Sequence, residues 1–356
     1  MDKTSLITAG APLPIYYRII SSVIRFIYYP NCVLVGNKPS FLNEKPTLYL
    51  CSHRNSAFDG YFPLKIAPFA QALASVQLLN SLIMRLFFTG IAVVRKKDKE
   101  RLKISVNSFE NPVDAGVMHI RNGGSLTLFP EGSSEWGYQP LPYQRGAARI
   151  VRILLDENID FNIVPLGLFY VSPDKFASHT EIYAGKPIQI VPQMEGESVR
   201  DWEKRIHSQL SQELDIVSVN CPDEATFHQA ERYACHSLQH GDSYAEAFLN
   251  YQHSNPNPPS TDETLPSSCT AIWRWFGFCM MFIFIPILLA ARFAASNADG
   301  RNTVSFFKIL GGSLASLVWL PILIIFTCYW PALLFPSFIS AFIGYKIIQH
   351  KGSMPC

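Results

Sequence analysis

The chain has 356 residues, of which 48% are hydrophobic and 16% are charged, and its formal net charge is +2. This length allows one large domain or two smaller ones. A charge so close to neutral produces no strong long-range field and argues against a nucleic-acid partner. The eight cysteines are spread along the chain without a CxxC pair. This excludes a secreted disulfide framework and is typical of reduced thiols in a cytosol-facing or membrane protein.

The N-terminal region, residues 1–35, lacks the basic start and apolar core of a cleavable signal peptide. Residues 14–30 are apolar and aromatic except for Arg18 and Arg25, which lie two helical turns apart and therefore share one face. This pattern predicts a helix that lies in the membrane interface. A buried first helix of a globular domain also fits the pattern.

Residues 36–215 alternate between strand-like and helical segments, which predicts an α/β domain with a mixed or parallel sheet flanked by helices. The short apolar runs PTLYLCS, GSLTLFP and FNIVPLGLFY have strand character. A further strand with a turn at 185–187 is predicted for residues 181–190. Helices are predicted for residues 71–88 and 144–156.

The rest of the chain divides into a polar helical extension (216–252), a linker rich in Pro, Ser, Asn and Thr (253–268), and a transmembrane region (269–356). The nearly unbroken apolar run 276–291 predicts one span of about 20 residues. The longer run 306–348 fits either two spans or one span with a re-entrant piece. Lysine and arginine counts in the loops leave the orientation open.

A polar loop after the first of these strands contains both His53 and Asp59, with five residues between them. The carboxyl edge of an open α/β sheet is the usual place for a ligand. A histidine held there by a carboxylate can take a proton from a hydroxyl group. An exposed histidine beside a helix-capping aspartate is the other interpretation of this pair.

Further blocks of small, acidic and basic residues accompany the pair. Pro165 lies in the middle of a strand-like run, which predicts an edge strand or a kink at that point. The other residues of interest are Gly90 with Arg95, the run Phe129, Pro130, Glu131, Gly132 and Ser133 after a second strand, and Arg145 before a Gly-Ala-Ala segment.

In this order the blocks resemble the glycerol-phosphate and lysophosphatidate acyltransferase family. Its His…Asp, Gly…Arg, Phe-Pro-Glu-Gly and Val-Pro motifs all occur between residues 53 and 165, and the resemblance covers about residues 15–215. It implies direct transfer of an acyl group from acyl-CoA or acyl-carrier protein, with neither a cofactor nor a metal. Glycerol phosphate or a lysophospholipid would be the acceptor, and the lipid bilayer would be a partner.

The resemblance also implies a role for each site residue. His53 would be the general base, held by Asp59. Glu131, Gly132 and Ser133 would shape the acceptor site, in part through backbone N–H groups. Arg95 would bind the phosphate, with Arg145 as the weaker candidate, and the motifs would be supported by Gly90, Phe129, Pro130 and Pro165.

Two departures from the family pattern favour glycerol-3-phosphate or dihydroxyacetone phosphate as the acceptor. Most members have one residue fewer between the histidine and the aspartate, whereas the fungal-type enzymes for these acceptors resemble the longer spacing. The loop must therefore bulge by one residue near Ser56. In addition, Ser133 and Ser134 replace the Thr-Arg pair that follows Glu-Gly in many lysophosphatidate enzymes.

Four alternatives stay open. The acceptor could be lysophosphatidate or another lysophospholipid. Cys51 or Ser133 could serve a hydrolase, although the chain has no G-x-S-x-G elbow. The Cys- and His-rich segment 221–240 could bind a metal, although it lacks CxxC and HExxH patterns. An inactive membrane-shaping or scaffold protein is the last alternative. We expect an integral membrane protein whose site faces the cytoplasm, in a bacterial inner membrane or the endoplasmic reticulum.

Overall fold

A seven-stranded sheet lies at the centre of the computed structural model, which describes residues 13–37, 45–94 except 77 and 80, 111–254 and 267–352. The strand order is β1-β7-β6-β2-β5-β3-β4. Neighbouring strands are parallel except β6 and β7, so the sheet is mixed, as predicted. The strands are β1 (Asn31–Gly36), β2 (Thr47–Cys51), β3 (Gln71–Ser75), β4 (Ile91–Val93), β5 (Leu126–Leu128), β6 (Asn162–Tyr170) and β7 (His179–Ala184).

Helices cover both faces of this sheet. Those in the described residues are α1 (Ile15–Tyr28), α2 (Leu82–Phe87), α3 (Pro112–Arg121), α4 (Gly146–Asp156), α5 (Val199–Val217), α6 (Glu224–Gln239), α7 (Tyr244–Ser254), α8 (Ser267–Met280), α9 (Ile285–Ala295), α10 (Arg301–Tyr329) and α11 (Pro331–Ile347). Short 3₁₀ turns occupy Ser56–Tyr61, Pro63–Lys65 and Phe282–Phe284, and a π-helical turn, Ile348–Gly352, follows α11.

The central strand β2 shows why the sheet needs a layer of helices on each side. All five of its residues are buried. Leu48 and Leu50 point into a core formed with α3, α4 and α5, whereas Tyr49 and Cys51 point into a second, aromatic core beneath α1. A strand buried on both faces is apolar at nearly every position, which explains the run LYLC. The hydroxyl of the buried Thr47 donates to the Lys45 carbonyl at 3.1 Å.

Two of the predicted elements differ in the structure. Residues 71–88 were expected to form one helix, but Gln71–Ser75 form strand β3 between β5 and β4, and only Leu82–Phe87 are helical. Pairing with neighbouring strands outweighs local helix propensity there. The strand expected at 181–190 is β7, which ends at Ala184. Beyond it, Gly185 packs on the Pro165 ring, and Pro187 has no N–H to donate to a ladder.

The C-terminal region contains two helices that are long and apolar enough to cross a membrane, Arg301–Tyr329 and Pro331–His350. They divide the run 306–348 at Trp330 and indicate membrane association. The single span expected at 276–291 is not a straight helix. A bend of 76° separates Ala271–Met280 from Phe282–Ala295, and Pro286 lies in the first turn of the α-helix that follows the bend. This bent pair adds a third span if both halves lie in one crossing.

The predicted helical extension consists of α6 and α7. Asp223 caps α6 by accepting a bond from the backbone N–H of Thr226 at 2.7 Å, so the helix begins at Glu224. The two helices pack on each other and on Phe169 at the end of β6. Most of the predicted linker, residues 255–266, lies outside the described residues.

Candidate active site

The loops after β2 and β5 meet because these two strands are parallel neighbours. His53 follows the end of β2, and Phe129 and Glu131 follow the end of β5. The ring centroids of His53 and Phe129 are 4.5 Å apart. The backbone N–H of His53 donates to Glu131 Oε1 at 2.7 Å. The structure thus brings together the first and third predicted motifs at the carboxyl edge of the sheet.

Asp59 holds the His53 ring. The distance from His53 Nδ1 to Asp59 Oδ2 is 2.8 Å, and Asp59 is fully buried in the 3₁₀ turn Ser56–Tyr61. The same oxygen accepts the backbone N–H groups of Arg54 and Asn55, each at 2.7 Å. The turn begins with Ser56 in the left-handed region (φ 54°), and this conformation accommodates the long spacing between the two residues.

Tyr170, at the end of β6, occupies the other oxygen of this carboxylate, because its hydroxyl donates to Asp59 Oδ1. Burial, reinforced by the neighbouring Asp59 charge, raises the pKa of Tyr170 well above its usual value, so the phenol stays protonated and remains a donor. Asp59 therefore accepts bonds at both oxygens, as an ionised carboxylate does.

These contacts assign the tautomer of His53. Since Asp59 acts as the acceptor, Nδ1 carries a proton, and in the neutral form of the ring the lone pair is on Nε2. The His53 side chain is 17% exposed, so a small molecule can approach it. An oriented, neutral imidazole of this kind can remove a proton from a hydroxyl group and stabilise the resulting positive charge beside Asp59.

Glu131 fixes the backbone of the site. Its two oxygens accept the N–H groups of His53 and, at 3.1 Å, of Leu141. Burial raises the pKa of Glu131, although these bonds partly oppose the effect. Gly132 is exposed and left-handed (φ 68°), and its N–H donates to the Phe129 carbonyl at 3.0 Å. This bond forms a turn within the loop, and the role of Gly132 in the acceptor site stays a prediction.

Of the two predicted phosphate-binding residues, Arg145 is the one in the described part of the chain. Arg95 lies outside the described residues, although Gly90 is described just before β4. Arg145 is exposed at the start of α4, where its charge adds to burial in lowering the pKa of His207. Ser133 is half-buried in the loop after Glu131.

Gly90 and Pro165 both lie where contacts with the backbone of a neighbouring segment restrict the residue type. Gly90 has φ 157°, and a Cβ there would lie 2.4 Å from the Ala72 carbonyl oxygen.

Pro165 was expected to mark an edge or a kink, but β6 is an interior strand. The proline is tolerated because β7 ends at Ala184, opposite Leu166. The nitrogen and the carbonyl of Pro165 both point to the β7 side of β6. The carbonyl accepts the N–H of Gly185, and the nitrogen faces the space beyond the end of β7, where no strand requires a donor.

Several residues near the site were missed by the sequence analysis. Arg54 is only 3% exposed, and its guanidinium carbon lies 4.5 Å from the Trp136 ring centroid and 5.7 Å from that of Phe227. The guanidinium carbon of Arg301, from α10, lies 5.0 Å from the same Trp136 ring. The position of Arg54 directly after His53 was a usable signal. Arg301 had no local signal, because it is distant in the chain.

The structure also bears on the hydrolase and metal alternatives. Burial, aided by Asp59, raises the pKa of Cys51 well above its usual value, which keeps this thiol protonated and unreactive. Among the described residues, no group of three or more His, Cys, Asp or Glu side chains could hold a metal ion. Within the segment 221–240, His228 Nδ1 lies 3.0 Å from Glu231, and His240 Nδ1 lies 2.9 Å from the His236 carbonyl oxygen.

The fold and the site together define an α/β domain with an oriented His–Asp pair, joined to apolar membrane-type helices. In sequence, the chain is 32% identical over 115 residues to glycerol-3-phosphate O-acyltransferase 1 of Saccharomyces cerevisiae and 28% identical over 113 residues to glycerol-3-phosphate O-acyltransferase 2 of the same yeast. Each match covers 30% of this chain and 15% of the yeast protein, so the chain matches only a small part of these relatives. These partial matches support the resemblance to the glycerolipid acyltransferases that the four motifs predicted.

The other comparisons are weaker. The crystal structure of the 1-acyl-sn-glycerophosphate (LPA) acyltransferase PlsC from Thermotoga maritima aligns with a TM-score of 0.36 and 12% sequence identity. That alignment covers 56% of this chain and 77% of the bacterial one. No protein-family model matches the chain.

Proposed function

We propose that this chain is a membrane-associated acyltransferase that moves a fatty acyl group from an acyl thioester to the hydroxyl of glycerol-3-phosphate or dihydroxyacetone phosphate. The observation that carries the proposal is the His53–Asp59 contact of 2.8 Å at the carboxyl edge of the sheet. The similarity to two yeast proteins named glycerol-3-phosphate O-acyltransferases supports this choice of acceptor.

In the proposed reaction, His53 Nε2 removes the proton of the acceptor hydroxyl while Asp59 holds Nδ1. The acceptor oxygen then forms a bond to the thioester carbonyl carbon, and the carbon–sulfur bond breaks. The proton on Nε2 passes to the departing thiolate, so the enzyme returns to its starting state without an acyl-enzyme. General-base assistance of this kind contributes about 100- to 10,000-fold to the rate.

The donor would be acyl-CoA or acyl-carrier protein, and no cofactor is needed for this chemistry. Association with the bilayer through α10 and α11 would place the site where acyl chains and polar acceptors meet. We expect the site to face the cytoplasm, where both thioesters are found. In the described part of the chain, the side chains that contact His53 are those of Asp59 and Phe129, which carry no thiol or hydroxyl, and this supports direct transfer.

Acyl transfer by the purified full chain tests the proposal. Labelled acyl-CoA and acyl-carrier protein are supplied as donors, and glycerol-3-phosphate, dihydroxyacetone phosphate and lysophosphatidate are offered separately. We expect transfer to one of the first two acceptors and a loss of at least about 100-fold in His53→Ala, from the size of general-base effects. His228→Ala is the matched control, because this exposed histidine lies on α6 and pairs there with Glu224 and Glu231.

Each result has a defined meaning. Transfer to lysophosphatidate alone would reassign the acceptor and keep the mechanism. Equal activity in the wild type and His53→Ala would refute the proposed role of the histidine. Absence of transfer from either donor, with the fold intact, would favour the inactive scaffold.

A further inference from the structure

A groove of about 430 Å³ lies beside helix α1, outside the His53 site. One wall is α1, and the other is the segment that follows the 3₁₀ turn at Pro63. The lining of the groove includes Arg18, Ser21, Ser22, Arg25, Leu64 and Pro68. The described lining includes two arginines and two serines and contains no acidic side chain. This combination suits a small anionic group with several oxygen atoms.

Arg25 has unused donors at this groove. Its Nη2 group donates to Ser22 Oγ at 3.3 Å, whereas its buried Nε and Nη1 atoms have no hydrogen-bond partner among the described residues. The guanidinium carbon of Arg18 lies 4.5 Å from the Phe69 ring centroid, which orients a second cation toward the same space. Two guanidinium groups in a lining without an acidic side chain make the groove attractive to an anion.

The chemistry next to the groove indicates where this anion comes from. Helix α1 buries Tyr17, Ser21, Ile24 and Tyr28 against the domain. Its outer face is apolar and open, with Ile15, Ile19 and Phe26 exposed to 72%, 57% and 67%. The two arginines stand at the border between these faces, because they lie along one edge of the helix. An interfacial helix carries cations at this border, level with lipid headgroups, while its apolar face enters the acyl region.

We propose that this groove binds the phosphate of a bilayer phospholipid. Arg18 and Arg25 would donate to the phosphate oxygens, and Ser22 would complete the cradle. The acyl chains would lie along Ile15, Ile19 and Val23, which are exposed on the same side of the helix. The site would dock α1 on the bilayer at a fixed depth and rotation, a role separate from acyl transfer.

Lipid binding by the full chain in a neutral detergent tests this proposal. The probe is dioctanoyl phosphatidylglycerol, and its affinity is measured by titration and by the rise in unfolding temperature. We expect Ser22→Glu, which places a carboxylate in the groove, to raise the Kd at least about tenfold, the size of one lost charge-assisted hydrogen bond. The double variant Arg18→Gln/Arg25→Gln is expected to do the same. Arg200→Gln, on the exposed start of α5, changes the net charge by the same amount as Ser22→Glu and should leave the Kd unchanged.

Two further probes identify the ligand. Dioctanoylglycerol, which lacks the phosphate, should bind at least about tenfold more weakly by the same reasoning. Inorganic phosphate should compete poorly because it makes no apolar contacts. Equal lipid affinity in the wild type, Ser22→Glu and the double variant would overturn the site. Equal affinity for inorganic phosphate and the lipid would overturn the assignment to the bilayer. The readout is binding, so it is independent of catalytic activity.

Discussion

The side-chain amide of Asn302 donates to the carbonyl oxygen of Ser134 at 3.0 Å and lies 3.2 Å from its hydroxyl oxygen. Ser134 belongs to the loop after Glu131, and Asn302 lies in the first turn of the membrane-type helix α10. Two further contacts fix this helix to the domain, an ion pair of Arg301 with Asp174 at 2.9 Å and a bond from Lys308 to the Asp174 carbonyl at 2.7 Å. The loop beside His53 is therefore positioned partly by the membrane region.

Replacing Asn302 by Ala should release this loop without disturbing the core. We expect kcat/KM to fall about tenfold, because small misplacements of residues near a reacting centre carry costs of this order. Asn297→Ala is the control, since this exposed asparagine bonds only within its own turn, to the Ala294 carbonyl. The comparison uses acyl transfer in one detergent, with unfolding temperatures measured in parallel. Equal kcat/KM for the two variants would show that the Ser134 contact has no part in catalysis.

Tyr170→Phe removes the hydroxyl that donates to Asp59 and keeps the aromatic packing. We expect kcat to fall about tenfold, because a hydrogen bond to a charged group is worth roughly 1.5–3 kcal/mol and part of it orients the catalytic pair. Tyr251→Phe removes a different bond of a buried phenol, of 2.9 Å to Gln229, between helices α7 and α6. It serves as the matched control. A loss of stability with an unchanged kcat in Tyr170→Phe would assign the bond to folding alone.

Glu181 gives the protein a pH-dependent stability that Glu181→Gln should remove. This buried side chain accepts bonds from His179 Nε2 at 2.8 Å, from Ser243 Oγ at 2.6 Å and from the backbone of α7. Burial alone would raise the pKa of Glu181, but these bonds outweigh burial and lower it below 4.5. The stabilisation is therefore present above pH 4.5, the ordinary value, and is lost as the pH falls through the lower folded-state pKa.

We expect Glu181→Gln to lower the free energy of unfolding at pH 7 by about 2 kcal/mol, the size of bonds to a charged acceptor. Denaturant titrations between pH 7 and pH 3 should show the gap to the wild type closing below pH 4.5. Glu157→Gln, which removes a surface pair with Arg121, should change stability by less than about 0.5 kcal/mol. A gap that is constant with pH would contradict the role of the charge.

Gly90→Ala should destabilise the sheet, because the new Cβ would lie 2.4 Å from the Ala72 carbonyl oxygen and the backbone has a positive φ. We expect a loss of about 2–3 kcal/mol, typical of forced overpacking. Gly146→Ala is the contrasting variant, since a Cβ there meets nothing within 4 Å at the start of α4. It should be neutral or stabilising by up to about 1 kcal/mol. Thermal unfolding of both variants gives the comparison, and equal losses would refute the steric explanation.

The elements that the sequence predicted well are those with strong local patterns. The strands β2, β5 and β6 follow unbroken apolar runs, and helix α4 has a clear apolar stripe. His53, Asp59 and Glu131 follow such strands, so their meeting at one sheet edge was predictable once β2 and β5 were taken as parallel. Strand β3 was missed because its sequence QALAS has no strand signal of its own, and its pairing comes from β4 and β5.

The remaining parts of the site depend on contacts between distant segments. Tyr170 reaches Asp59 only because β6 lies beside β2, and no spacing in the sequence reports that neighbour. Asn302 reaches Ser134 from a different region of the chain. The bend between α8 and α9 was missed because an apolar run looks the same whether it is straight or broken, although Pro286 marks the break in the structure.

The contacts around Trp136 also set an order of events during synthesis. Arg54 and Trp136 leave the ribosome early, whereas Arg301, whose guanidinium lies over the same ring, is made only when the first of the two long apolar helices begins. A nascent chain that ends before that helix cannot complete this cluster. Final assembly of the loop beside His53 must therefore wait for translation of the region that anchors the protein.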